Sequence, residues 1–449
     1  MRAAAALSLG VLLASALAAN SAAQTPPPSD PFSPPSRWRD LVVGTAVPPP
    51  ITPRGPIAIV DAQIDVSHPA FRDSNITSLG SRPVTEHSGT ANAAVAAVPA
   101  QSNGLVGVWP GASVVNIPLP DARAITCSDS ARGIARALRT PAEVIYLPYG
   151  STSKCDAEEA QILRAVRGGR VVVAAGGIAA ESGSPPQYPA SLPHVLTVGA
   201  VAVDSQPTVF SSTSPALDIS APGYRVATAF AVALDSNGDG YGLMSGTAVA
   251  GSMVAAAVAW VRAARPELTV RQAADAVRLG ARDVGVSGRD SATGHGILWI
   301  PGALARPEPP EDPFEPNDDI RLVDGRFFGR AAVPLSAAGT SQVEGTIDRY
   351  EDPADVYRIR IPGSRLVRVS LSPSHGDPDL YVLARKAKRV TDRRRELGRS
   401  RRGTGRADVV TVRNRRPKPM TGYVVVRFSA AKQSARADAA AYEIALTGR

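Results

Sequence analysis

Three short segments of this 449-residue chain carry residue types that could cooperate in acyl transfer. Asp61 follows directly on the apolar run Ile57-Ala58-Ile59-Val60, in Asp61-Ala62-Gln63-Ile64-Asp65-Val66-Ser67-His68-Pro69. A carboxylate at the carboxyl end of a buried parallel strand lies where open α/β sheets place their sites. His87 opens Glu86-His87-Ser88-Gly89-Thr90 ahead of an Ala-rich stretch, so its ring is expected to face Asp61 from a helix N-terminus. The third segment, Leu243-Met244-Ser245-Gly246-Thr247-Ala248-Val249-Ala250, is a small-residue turn entering an apolar helix. Carboxylate, imidazole and a turn-borne nucleophile, in that order, form one known arrangement of the serine triad. The nucleophile's place is taken by Ala248, whose methyl has no lone pair for a base to activate. Ser245 falls three residues short of the turn's apex, and Ser252 lies a helical turn, about 6 Å, beyond it. Neither is placed to substitute.

With this set of motifs the chain resembles the subtilisin-like proteases, the subtilases, over about residues 56–304. Asp61 corresponds to the family's catalytic aspartate in Asp-x-Gly-Ile-Asp-x-x-His-Pro, with Gln63 in place of the glycine. His87 corresponds to the catalytic histidine of His-Gly-Thr-x-Val-Ala-Gly. Ser88 intrudes before Gly89-Thr90, and a strict register puts Ser88 in the histidine's place. Ser245-Gly246-Thr247-Ala248 corresponds to Asn/Ser-Gly-Thr-Ser, which makes Ala248 the nucleophile position. Similar words recur at Tyr188-Pro189, Val198-Gly199-Ala200-Val201, Phe210-Ser211-Ser212, Ala221-Pro222-Gly223 and Gly294-His295-Gly296.

The departures fall on the catalytic apparatus. The family's oxyanion asparagine follows an Ala-Ala-Gly turn; here Ala174-Ala175-Gly176 is followed by Gly177, which has no side-chain amide to donate. The strand that pairs with substrate in the family reads Leu147-Pro148-Tyr149-Gly150, and its proline removes a backbone donor. The proline normally four residues after the nucleophile is Ser252. In subtilisin itself, loss of the nucleophile costs roughly 10⁶ in turnover and loss of the side-chain oxyanion donor roughly 10²–10³. The resemblance therefore implies a secreted pseudoprotease of subtilase fold that acts by binding a peptide, a protein or a surface. One alternative is an active subtilisin-like serine endopeptidase using another nucleophile; a second is an envelope- or polyanion-binding protein. About 30 residues stand between the export signal and the first strand, fewer than an independently folding prodomain needs.

Positioning such a site requires a parallel sheet. Short β-branched runs at 57–60, 114–117, 144–147, 171–175 and 195–198 alternate with helical patterns at 90–98, 128–139 and 157–167. That alternation predicts a parallel α/β sheet with helices on both faces. Residues 1–23 read as a signal peptide, with a positive start and an apolar stretch too short to span a bilayer. Residues 24–50 read as a Pro-rich disordered leader, 51–305 as the subtilase-like domain and 306–316 as a Pro/acidic linker. Residues 317–449, with alternating strands at 356–361, 367–371, 423–428 and 442–446, read as a small all-β sandwich. Phe314-Glu315-Pro316-Asn317-Asp318, Asp352-Pro353-Ala354-Asp355-Val356-Tyr357 and Asp377-Pro378-Asp379-Leu380-Tyr381-Val382 resemble the bacterial prepeptidase C-terminal domain.

Composition narrows the remaining options. The two cysteines, Cys127 and Cys155, are expected as a disulfide in an exported protein. No Cys/His spacing suits a metal, and no cofactor is implied. The opening of a calcium loop at Asp235-Ser236-Asn237-Gly238-Asp239-Gly240 lacks its twelfth-position carboxylate, which is Gly246, so a plain hairpin turn is the expected reading. The +9 net charge equals that of one segment, 385–406, where eleven Lys or Arg from Arg385 to Arg406 meet Asp392 and Glu396. This segment is expected as a solvated loop or as a patch for anionic surfaces. No aromatic interleaves with it, so nucleic acid is not expected. No later apolar run spans a bilayer, and the protein is placed in the periplasm or outside the cell.

Overall fold

The computed structural model describes residues 37–44, 49–50, 52–100, 104–236, 238–336, 341–403, 405–428 and 439–448. The predicted signal peptide and most of the leader lie outside them. The leader's end does not: Arg37–Val42 forms a helix, α1, which corrects the disordered assignment. Its Trp38 and Val42, with Val43, are buried in the main core, and Arg39 donates to the Gly107 carbonyl at 3.1 Å. Proline-rich flanks masked an amphipathic turn that the core anchors.

The α/β domain follows. Its strands are β1 (Ile57–Asp61), β2 (Asn75–Ser78), β3 (Ser113–Pro118), β4 (Val144–Leu147), β5 (Val171–Ala175), β6 (Val195–Val201) and β7 (Ile219–Pro222). They form one sheet ordered β2-β3-β1-β4-β5-β6-β7, parallel at every pairing. β1, β4, β5 and β6 are buried at every residue, as a sheet covered on both faces requires. Helices α2 (Ser88–Ala97), α3 (Cys127–Ala137) and α4 (Asp156–Arg167) supply crossovers. The hairpin β8 (Val226–Ala229) and β9 (Tyr241–Met244) leads into α5 (Thr247–Ala264), followed by α6 (Val270–Leu279) and α7 (Ile300–Ala305). By length and composition α5 could cross a membrane, but it is the domain's central core helix: Val249, Met253, Val254 and Trp260 are fully buried against the sheet.

The second unit is a sandwich of two antiparallel layers, as expected. A short helix α8 (Ile320–Val323) precedes β10 (Leu335–Ser336), β11 (Ser341–Asp348), β12 (Ala354–Ile361), β13 (Leu366–His375), β14 (Asp379–Ala384), β15 (Glu396–Ser400), β16 (Asp408–Arg413), β17 (Met420–Arg427) and β18 (Ala439–Gly448). One sheet runs β10-β12-β17-β14-β15, with β10 the one parallel pairing, and the other β11-β18-β13-β16. Alternating burial along β13 and β18 turns Val367, Val369, Leu371, Ile444 and Leu446 into the shared core.

The stretch 306–316 is not a free tether. Gln272 donates to Glu308 Oε1 (3.1 Å) and to the Pro309 carbonyl (2.8 Å), and Asp312 accepts from the Thr346 amide (3.0 Å). The sandwich docks against residues that open β5, β6 and β7, so it sits at the amino ends of the parallel strands.

Candidate active-site cleft

The strand order reverses at β1, so a crevice opens beyond its carboxyl end, where Asp61 emerges. Asp61 is only 3% exposed, and three donors hold its carboxylate. Oδ1 accepts from the Ala62 amide and the Ser88 hydroxyl, both at 2.7 Å, and Oδ2 accepts from the Asn92 amide at 2.8 Å. Burial pushes its pKa up, and those three donors partly offset the rise.

The partner of Asp61 is thus Ser88, not His87. Ser88 and Asn92 lie one turn apart on α2 and share the face turned to Asp61, whereas His87 sits about 100° further round at the N-cap. The His87 ring instead stacks on Phe230, with centroids 4.5 Å apart and planes at 24°. Its Nδ1 is buried with no hydrogen-bond partner among the described residues. Gly89 sets the register, because a Cβ there would overlap the Ala62 carbonyl. α2 can approach β1 this closely only with a glycine at that point, and this fixes Ser88 over the carboxylate.

Ala248 lies in the first turn of α5, half-buried, and its carbonyl accepts from the Tyr146 hydroxyl. Neither neighbouring serine takes its place. Ser252, fully buried, donates to the Asn92 carbonyl at 2.5 Å, and exposed Ser245 accepts from the Arg225 amide at 2.9 Å. Gly177 follows β5 with φ +100°, and its N–H donates to Thr247 Oγ1 at 3.1 Å, latching this loop onto the start of α5. A Cβ at 177 would meet the Gln187 side chain at 2.5 Å. An asparagine there needs both a strained backbone and a displaced Gln187.

The wall Leu147, Pro148, Tyr149 and Gly150 runs on from β4. The Tyr149 hydroxyl lies 2.8 Å from Ser130 Oγ, which also donates to the Glu158 carboxylate. Burial raises the pKa of both Tyr149 and Glu158, and the Ser130 hydroxyl between them partly offsets the rise. Beyond it, Ser151 and Tyr188 exchange backbone hydrogen bonds of 2.8 and 2.7 Å. The Cys127–Cys155 disulfide ties the start of α3 to the N-cap of α4 behind this wall, with Cα atoms 5.6 Å apart.

The 235–240 loop uses its own carboxylates. Asp235 accepts from Gly240 N and Asp239 from Tyr241 N, both at 2.8 Å. His68 fixes the same turn, its Nε2 lying 2.7 Å from the Gly240 carbonyl.

A different cluster has the donors for a cation. Asp312, Glu315, Asp352 and Asp355 are all buried, and their carboxylate oxygens lie within 4.8 Å of one another. Glu315 Oε1, Asp352 Oδ1, Asp355 Oδ1 and both amide atoms of Asn317 are buried without hydrogen-bond partners among the described residues. Burial, reinforced by the neighbouring negative charges, raises Asp352 and Asp355 well above the carboxylate range and Glu315 to about 7. Such an all-oxygen set suits a hard divalent ion. His194 adjoins it from the α/β domain, with Nε2 2.7 Å from Asp318 and 3.3 Å from Glu315. The sequence reading missed this group, although two of the sandwich words carry its acids. Residues 312–315 and 352–355 converge only after folding.

A parallel α/β sheet with this cleft at its carboxyl ends defines the class. Residues 56–296 match the subtilase family, and the chain belongs to it. It is 32% identical over 239 residues to subtilisin E of Bacillus subtilis (strain 168), covering 51% of this chain and 61% of that protein. It is 31% identical to the subtilisin of Bacillus pumilus over 239 residues, covering 51% and 85% of the two chains. A thermostable alkaline protease of Halalkalibacterium halodurans is 31% identical over 221 residues, covering 48% and 59%. The chain thus spans about three-fifths of the length (61%) of the first curated relatives it matches. Among solved structures, the prenylagaramide maturation protease PagA superposes with a TM-score of 0.49 at 26% identity, over 56% of this chain and 94% of that one.

Proposed function

We propose that this is an exported pseudoprotease of subtilase fold, without peptidase activity, whose cleft holds a peptide or protein segment. One observation carries the reading: the buried Asp61 carboxylate is held by Ser88 and Asn92, and His87 Nδ1 makes no hydrogen bond to it among the described residues. A hydroxyl is too weak a base to relay a proton, and an alanine offers nothing to deprotonate. The Gly177 amide, engaged by Thr247, adds a third lesion at the oxyanion position. The C-terminal sandwich, by its resemblance to the prepeptidase C-terminal domain, fits an appended module of an exported protein.

Hydrolysis of casein and of a chromogenic peptide ester tests this directly. No turnover above buffer is expected from the full chain. Hydrolysis that disappears in Asp61→Ala would overturn the reading. Restoration is expected to need more than the nucleophile: Ala248→Ser alone stays inactive because Ser88 holds the base position. Ser88→His with Ala248→Ser is the smallest combination that rebuilds base and nucleophile together.

A further inference from the structure

The basic segment 385–406 is neither a featureless loop nor a part of the cleft. It forms one side of the sandwich. A helical turn at Arg393–Arg395 leads into β15, the edge strand of the five-stranded sheet. β16, the edge strand of the other sheet, packs beside β15, so the two edges close the same side of the domain. All eleven Lys and Arg side chains of the segment are exposed. Leu397 and Arg399 alternate outward along β15, roughly 7 Å apart, and exposed Arg401 follows just past its end. Exposed Arg413, Arg415, Arg416 and Lys418 extend the positive charge to the far end of β16.

Acidic partners do not account for this charge. Glu396 pairs with Arg399 at 3.6 Å, whereas Lys386, Arg393, Arg394 and Arg395 make no ion pair among the described residues. A few edge lysines or arginines are enough to keep a sheet edge from pairing with another chain. Eleven against two acids exceed that need, and their mutual repulsion opposes folding.

We infer that this rim binds a linear anionic polysaccharide, with guanidinium groups gripping its sulfate, phosphate or carboxylate groups. Two features select a glycan over other polyanions. Leu397 is the one large exposed apolar side chain on the segment among the described residues, too little to insert into a bilayer. The neighbouring aromatic, Tyr381, is buried, with Arg427 over its ring at 4.5 Å, so no free ring is offered to stack on a nucleobase. Guanidinium forks match planar or tetrahedral oxyanions in pairs, and an elongated rim matches a chain rather than a single ion.

The test uses the full chain and heparin as the probe, by calorimetry at several salt concentrations. Binding is expected to weaken steeply as salt rises. The triple reversal Arg393→Glu/Arg394→Glu/Arg395→Glu is expected to weaken it on the order of 10²-fold, with unchanged circular dichroism and Tm. A control reversal of three arginines remote from this edge, Arg72, Arg139 and Arg225, is expected to change affinity less than threefold. Heparin affinity indifferent to the triple reversal overturns the inference. So does equal or tighter binding, through the same arginines, to phosphatidylglycerol vesicles or to a DNA duplex.

Discussion

The two ends of the parallel sheet are opposites. At the carboxyl ends, where the family keeps its chemistry, Asp61 has three short hydrogen bonds, from Ala62, Ser88 and Asn92. At the amino ends, where the sandwich docks, a cavity of about 480 Å³ is rimmed by Asp218, Arg278, His295, Asp348 and Glu351, and the acid cluster lies beside it. Arg278 there lies 3.0 Å from Asp275, 3.6 Å from Asp348 and 3.8 Å from Asp218. Electrostatic tension, the usual mark of an active site, is concentrated at the domain junction and relaxed in the cleft. In the cleft the Asp61 carboxylate is fully hydrogen-bonded, and the buried atoms left without partners among the described residues are His87 Nδ1 and Asn92 Oδ1, whereas unpartnered carboxylate oxygens gather where the two domains meet.

Arg278→Met is the most severe way to probe this contrast. It strands three buried or half-buried carboxylates and is expected to cost about 3–5 kcal/mol in urea unfolding, with the junction opening first. A cost under 1 kcal/mol would break the comparison. Next comes cation binding at Asp312, Glu315, Asp352 and Asp355. Calcium at a hundredfold excess over Kd is expected to add about 2.7 kcal/mol, and EDTA to remove it, with the response abolished in Asp352→Asn/Asp355→Asn.

The acidity of Asp218 supplies a third, comparable effect. Burial raises its pKa to about 6, against the pull of Arg278. A carboxyl with a folded pKa above its unfolded value binds its proton more tightly when folded. Its stabilising contribution is therefore full below about pH 4 and is lost as pH rises through about 6. Urea unfolding of the wild type minus that of Asp218→Asn should fall across this window by up to about 3 kcal/mol. A difference that stays flat from pH 4 to 7 would contradict the assignment. The smallest effect belongs to the cleft. Ser252→Ala loses one bond to the Asn92 carbonyl and is expected to cost about 1 kcal/mol in the same assay. If it cost more than Arg278→Met, the contrast between the ends would be inverted.

Much of this was legible in the residues. The consecutive Val, Ile and Ala of β1, β4, β5 and β6 declare strands buried on both faces, and the α5 turn announces its alanine. Within the seven-stranded parallel sheet, two strands were hidden. β2 is a half-exposed edge strand, Asn75–Ser78, without an apolar run, and β7 reads Ile-Ser-Ala-Pro, with too little hydrophobicity to stand out. The exchange of His87 for Ser88 could not be settled along the chain. Adjacent residues at a helix start point about 100° apart, and only the packing of Gly89 on Ala62 chooses between them. Segment 306–316 looked like a tether because prolines forbid regular structure, yet two of its acids, Asp312 and Glu315, are buried in the junction.

The central claim is that the cleft contains no activated nucleophile. Treatment of the full chain with a fluorophosphonate probe, read by intact-protein mass spectrometry, tests it most directly. An unmodified mass is expected after prolonged exposure, with subtilisin labelled fully in parallel. A stoichiometric adduct on a serine of this chain, lost in Asp61→Ala, would contradict it.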